Sequence, residues 1–244
     1  RSQTMQSLVS CSIDKGIALV TMDDGKSNVV SPAMIEQINS ALDQAEQANA
    51  VVVLTGRDGV FSAGFDLGIL KSGVSNTFKM LIGGFKLSRR LLAFPTPVVI
   101  ACNGHAMAMG SFLLLSGDYR IGTRGDYKIV ANEVEIGLTM PYSAIEICRQ
   151  RLKPGFFDRT VLLSELYNPV TAVEAGFLDQ VVEAEELLPV AYQKAEQLKT
   201  LNLTAHTRSK QRMRKHTLRS LDRARHRDIA DFIVLGIKRT LKLS

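Results

Sequence analysis

The sequence predicts an α/β fold with extensive parallel strand pairing. Two observations carry that prediction. Short uninterrupted apolar runs, of the kind that fill a strand buried on both faces, recur along the chain, and amphipathic helical stretches alternate with them. A third observation, the lack of any tandem repeat or low-complexity tract, leaves one large domain or a core with a small appendage as the organisation of the 244 residues.

The elements follow in order. Residues 8–22 read as two short strands around a turn at Asp14-Lys15-Gly16. Asp24-Gly25 makes a loop, and Ser31-Pro32 reads as an N-cap with proline at the first helical position. The helix from there to about Ala48 lines up Met34, Ile38, Ala41, Leu42 and Ala45 at helical spacing. VVVLTG (51–56) is a buried parallel strand, followed by a glycine-punctuated loop, GRDGVFSAGFDLG, and a helix around residues 75–94. Phe94-Pro95-Thr96-Pro97 breaks that helix. VVIAC (98–102) is a second buried strand, leading through NGHAMAMG into an apolar helix, SFLLLSGD. YRIG (119–122) and YKIVA (127–131) read as strands, and the chain is mainly helical from about residue 141. A division near residue 195 separates a core (1–195) from a basic helical segment (196–244).

Composition sets the outer limits. Apolar residues make up 45% of the chain, ample for a sizeable core, and no apolar run reaches the ~18 residues that a membrane span requires. The opening RSQTMQSLVS lacks the basic-then-apolar order of a signal peptide; Met5 is a candidate start, which would make Arg1 to Thr4 an added remnant. Cys11, Cys102 and Cys148 stand far apart and match no metal spacing, so they are expected to be buried thiols in a reducing, cytoplasmic compartment. The net charge of +6 is unevenly placed. Residues 201–244 carry 12 Lys/Arg against 3 Asp/Glu, and the remaining 200 residues carry 18 against 21. The stretch TRSKQRMRKHTLRSLDRARHRD is expected to present a solvated basic face. Attraction of an anionic ligand and contact with nucleic acid, through residues such as Arg212, Arg214 and Lys215, are the alternatives. Its lack of aromatic residues argues against stacking on RNA bases.

Two loops share one logic. Phe61-Ser62-Ala63-Gly64-Phe65-Asp66-Leu67 and Asn103-Gly104-His105-Ala106-Met107-Ala108-Met109-Gly110 each follow a buried strand, are rich in small residues and precede a helix. Helix N-termini leave N–H groups unpaired at the positive end of the helix dipole, and two such groups aimed at one point can hold a developing oxyanion. Taken alone, turns of this kind are usually only tight turns. The chain has neither G-x-G-x-x-G nor a Walker A lysine motif, so nucleotide cofactors of those kinds are not expected.

FSAGFDL resembles the A-G-x-D loop of the crotonase (enoyl-CoA hydratase/isomerase) family, and IACNGHAMAMGSFLLLSGDYRI its second oxyanion-hole segment and following helix. KIVANEVEIGLTMP is similar to the stretch where a catalytic acid precedes a turn, and TAVEAGFLDQVV to the A-x-x-x-G-[LF]-[VI]-[DS] element near the end of the core. The matches occur in family order over roughly residues 8–195.

The resemblance implies a spiral of repeated β-β-α units with a C-terminal helical trimerisation segment. It further implies an acyl-CoA substrate in fatty acid metabolism, no separate cofactor or metal, and a homotrimer or hexamer. The missing aromatics and the missing apolar span leave neither nucleic acid nor membrane expected as a partner. It places the oxyanion donors at the backbone N–H groups of Phe65 and Met109, although Ala108-Met109-Gly110 departs from the usual G-G-G and narrows the approach. The family's hydratases use two glutamates. Their first falls at Phe112 here, which cannot polarise water, and the second at Glu133. One carboxylate suffices to move a proton from the alpha to the gamma carbon, as in the family's 3,2-trans-enoyl-CoA isomerases, so double-bond migration is the expected reaction. Hydration, and a non-catalytic acyl-CoA- or RNA-binding role, are the alternatives. Lys26, Ala63, Asp66, Leu67 and Gly110 are the expected CoA-contacting residues, with Lys238 reaching a neighbouring subunit's CoA. Glu135 is the nearest rival base, because strand alternation would point it the same way as Glu133. Asp66 is the kind of loop acid that bonds local backbone. Asp118 and Glu146 are expected to be structural or exposed, and His105 packed.

Overall fold

The computed structural model describes the backbone of residues 7–242 and the side chains of residues 7–233. Residues 1–6 and the Lys238 side chain lie outside that description.

The chain opens with a hairpin of β1 (Val9–Asp14) and β2 (Ile17–Met22), then β3 (Val29–Val30) and α1 (Pro32–Gln47). Next come β4 (Val51–Thr55), β5 (Gly59–Ser62), β6 (Gly64–Phe65), α2 (Leu67–Ser72) and α3 (Val74–Ala93). A third stretch holds β7 (Val98–Cys102), β8 (Gly104–Met107) and α4 (Met109–Leu115). The fourth holds β9 (Tyr119–Thr123), β10 (Ile129–Val130) and α5 (Tyr142–Arg149). Helices α6 (Pro154–Leu163) and α7 (Pro169–Ala175), strand β11 (Gln180–Val182) and helices α8 (Leu187–Lys199), α9 (Leu203–Met213) and α10 (Lys215–Lys242) complete it.

Each unit divides its strands between one large sheet and the small ones. The large sheet runs β1-β2-β4-β7-β9-β11, antiparallel only at the β1–β2 hairpin; the remaining strands form the sheets β10-β8-β5 and β3-β6, both parallel. This is the predicted spiral of β-β-α units. Alternation explains why VVVLT and VVIAC are apolar throughout. Val52, Leu54, Ile100 and Cys102 enter the main core, while Val51, Val53, Val99 and Ala101 face Leu187, Ala191 and Ala195 of α8 on the other side.

Four expectations need correction. The two glycine-rich loops contain short strands, β5, β6 and β8, whose few residues carry too little alternation to be read as strands. Only Ile129 and Val130 of YKIVA pair as a strand, and β11 adds a strand inside the supposedly helical second half. The division at residue 195 falls within α8.

The basic segment is not simply a solvated face. Lys210 and Arg214 are buried, and both ion-pair with Asp118, at 2.6 and 2.8 Å. Lys210 Nζ also donates to the Phe94 and Thr96 carbonyls, and Arg214 to that of Leu92. Asp228 of α10 accepts from the N–H groups of Tyr142 (2.7 Å) and Ser143 (3.0 Å), capping α5 from across the chain. Arg212 and Lys215, by contrast, are exposed.

Candidate active site

The first loop is shaped by short polar side chains. Asp24 accepts from the N–H groups of Lys26 (2.7 Å), Asn28 (2.9 Å) and Val29 (3.0 Å). Burial raises the Asp24 carboxyl, but those three N–H donors and the Arg57 guanidinium outweigh it and hold the pKa below its ordinary value. Asn28 is fully buried in the left-handed region, and its amide donates to the carbonyls of Met22 (2.8 Å) and Phe61 (3.3 Å). Ser62 Oγ donates to the Asn28 carbonyl and accepts from the Gly64 N–H, and the Ala63 N–H donates to Ser27. Lys26 and Ala63 are thereby brought onto one rim, with Lys26 exposed and Ala63 half-buried. Asp66 caps α2, accepting from Gly68 (2.8 Å) and Ile69 (3.2 Å), and Leu67 beside it is exposed.

The second loop meets the first backbone to backbone. Ala108 takes φ +47° as the residue before α4, an unusual conformation for a residue with a Cβ, and its N–H donates to Val130 while its carbonyl accepts from Ser111 and Phe112. Met109 is therefore the first helical residue, and its N–H has no acceptor within α4. A Cβ built on Gly64 would lie 2.9 Å from the Ala108 Cβ and 3.3 Å from the Met109 nitrogen. Gly64 accordingly needs to be glycine both for its φ of +96° and for this approach. The residues from Gly64 to Phe65 and the N-terminus of α4 thus adjoin. Gly110 is buried, and a Cβ there would fall 2.3 Å from the Ser62 carbonyl oxygen, so its surroundings are those of a packing glycine rather than an open ligand contact.

Glu133 follows β10 by three residues, and β10 pairs with β8 of the second loop through Val130 and Met107. Its side chain is buried, and Oε2 has no hydrogen-bond partner. Burial pushes its pKa up to about 7, against the opposing pull of its own backbone N–H. Cys148 of α5 is within electrostatic reach: burial raises its thiol first, and the charge of Glu133 raises it further. Phe112 is fully buried on α4, its ring 6.2 Å from that of Phe85, which in turn stands 6.0 Å from Phe65. Glu135 is exposed. Strand alternation fails there because residues 132–138 form successive turns, with Ile136 N–H donating to Asn132, Gly137 to Val134 and Leu138 to Glu133.

The remaining candidates are structural. His105 Nδ1 accepts from the Lys128 N–H at 2.9 Å and the ring packs edge-on against Tyr127. Glu146 pairs with Arg149 on its own helix. Asp179, in the TAVEAGFLDQVV element, pairs with the fully buried Arg120 and with Arg151. No cluster of metal-ligating side chains exists among the described residues. Sequence reasoning missed Asp24, Asn28, Ser62 and Cys148. The D-D-G-K-S-N run carries an Asx-turn signal for the first two, whereas nothing local marks Cys148.

The enoyl-CoA hydratase/isomerase family model matches residues 12–239. The chain belongs to the enoyl-CoA hydratase/isomerase family. It is 30% identical, over 74% of its length and 81% of the relative's, to the peroxisomal enoyl-CoA delta isomerase 2 of Arabidopsis thaliana. A crystal structure of an enoyl-CoA hydratase/isomerase family protein from Pseudomonas syringae superposes with a TM-score of 0.90 at 45% identity, covering 91% of this chain and 97% of that one. The human mitochondrial delta3-delta2-enoyl-CoA isomerase superposes with a TM-score of 0.89 at 26% identity, covering 96% and 93%.

Proposed function

We propose that this family member isomerises 3-enoyl-CoA thioesters to 2-trans-enoyl-CoA, with Glu133 as the one base. The observation that carries the reading is a buried carboxyl, Glu133, with an unpartnered oxygen and a pKa near neutrality. The resemblance adds to it by assigning the hydratases' first glutamate to Phe112, which is buried. The delta isomerases among the relatives support the same direction.

In this mechanism the thioester carbonyl oxygen lies between the backbone N–H groups of Phe65 and Met109. Glu133 removes the proton from C2, and the C–H electron pair spreads over the dienolate onto that oxygen. Each N–H donor is worth roughly 3–4 kcal/mol to such a developing charge. The same carboxyl then returns the proton to C4 as the double bond settles between C2 and C3. One proton leaves and one returns, and no water is consumed. Lys26, with the backbone at Ala63 and Leu67, is assigned to the CoA moiety. Asp66 is assigned to holding that rim. A homotrimer or a hexamer, and a cytoplasmic location in keeping with three free thiols, complete the proposal.

The test is a paired assay of wild type and Glu133→Gln on a 3-enoyl-CoA and on a 2-trans-enoyl-CoA across pH 5–9. The expected outcome is conversion of the 3-enoyl substrate only, with an acid limb near the raised pKa of about 7, and loss of turnover in the variant. Prompt hydration of the 2-enoyl substrate would overturn it.

A further inference from the structure

The middle of α3 reads Leu81-Ile82-Gly83-Gly84-Phe85. Each interior glycine weakens a helix relative to alanine. Neither of these two has a positive φ to account for it. Their surroundings differ. A Cβ on Gly83 would meet only the Ile35 side chain, at 3.3 Å or more. A Cβ on Gly84 would fall 2.5 and 2.7 Å from the Phe65 ring and 3.4 Å from the Met109 sulfur. Gly84 is thus a notch in α3 that receives the side chains of both residues whose N–H groups are assigned to the oxyanion.

We propose that Gly84 is a positioning residue, which lets the Phe65 ring and the Met109 thioether lie back on α3 and so keeps the space before the two N–H groups open to the thioester. This rests on the assignment of those N–H groups. A side chain at position 84 has to drive the Phe65 ring out of the notch. The ring cannot retreat past Phe85, which it already meets edge-on. Its remaining direction is the half-open side, which the proposed mechanism gives to the thioester. Displacements of ~1 Å in such a site can lower turnover by about a hundredfold. Gly83 offers an adjacent control, because alanine there faces only a flexible isoleucine.

The experiment compares Gly84→Ala, Gly83→Ala and the double variant Gly84→Ala/Phe65→Leu, with circular dichroism and thermal melts confirming the fold of each. Gly84→Ala should lose about tenfold or more in kcat/KM on a 3-enoyl-CoA. Gly83→Ala should retain wild-type rates, and the double variant should recover most of the loss because leucine vacates the crowded end of the notch. Wild-type activity in Gly84→Ala, an equal loss in Gly83→Ala, or no recovery in the double variant would each overturn the proposal. If Gly84→Ala does not fold, Phe65→Leu in the intact notch decides. It should improve turnover of alpha-methyl-branched 3-enoyl-CoA relative to the unbranched ester, and an unchanged ratio counts against the notch. An inactive wild type would sink the functional reading instead. The notch is then read by calorimetric binding of a saturated acyl-CoA, which Gly84→Ala should weaken and Gly83→Ala should not.

Discussion

Glu133 combines a side chain 7% exposed with an oxygen that no hydrogen bond satisfies, and its carboxyl is raised from 4.5 to about 7. A base with this pKa is half ionised at neutral pH and strong enough to take a proton from carbon activated by an oxyanion hole. The arrangement has a stability consequence. A carboxyl whose folded pKa lies above its unfolded one favours the folded state fully below the unfolded value, and that contribution is lost as pH rises through the folded value. At pH 8 the ionised Glu133 therefore costs on the order of 3 kcal/mol relative to a neutral isostere. Glu133→Gln should raise the thermal midpoint at pH 8 and raise it less at pH 5. Equal gains at both pH values would argue against a buried ionised carboxylate.

At the scale of elements, the decisive contacts join segments far apart in sequence. α9 and α10 dock on the core through Asp118, which accepts from Lys210, Arg214 and the Val98 N–H. Burial pulls the Lys210 pKa down first, and Arg214 adds to that, while Asp118 opposes both. Removing the carboxylate leaves two buried cations facing each other. Asp118→Ala should therefore cost about 3–5 kcal/mol in denaturant melts, well beyond what an exposed ion pair contributes. A cost below ~1 kcal/mol would mean that the triad is solvated in practice. α5 is organised in a similar way, since Pro141 gives its N-terminus no side-chain cap and Asp228 of α10 supplies one.

For the whole molecule these contacts mean that the basic segment is part of the core's construction. A chain ending after Thr200 would strip both cationic partners from Asp118, remove the donors to the carbonyls of Leu92, Phe94 and Thr96, and uncover α3 and α5. It should express as aggregate or melt without a cooperative transition, and a soluble, cooperatively melting fragment would show that residues 1–200 are an independent domain. The sequence by itself determined the α/β class, the buried strands VVVLT and VVIAC, helix α1 with its Ser31 cap, and the two small-residue turns before helices. Each is written in local periodicity or in the chemistry of a few adjacent residues. It also singled out Glu133, but only through a motif, because one carboxylate beside a turn looks like another. Tertiary structure decided the rest. Glu133 is buried and Glu135 exposed because turns replace a strand after Val130. Arg214 is buried and Arg212 is not because Asp118, 96 residues away, meets one and not the other. Burial and long-range pairing belong to the packed molecule, and they set which of several chemically identical side chains carries charge, a proton or neither.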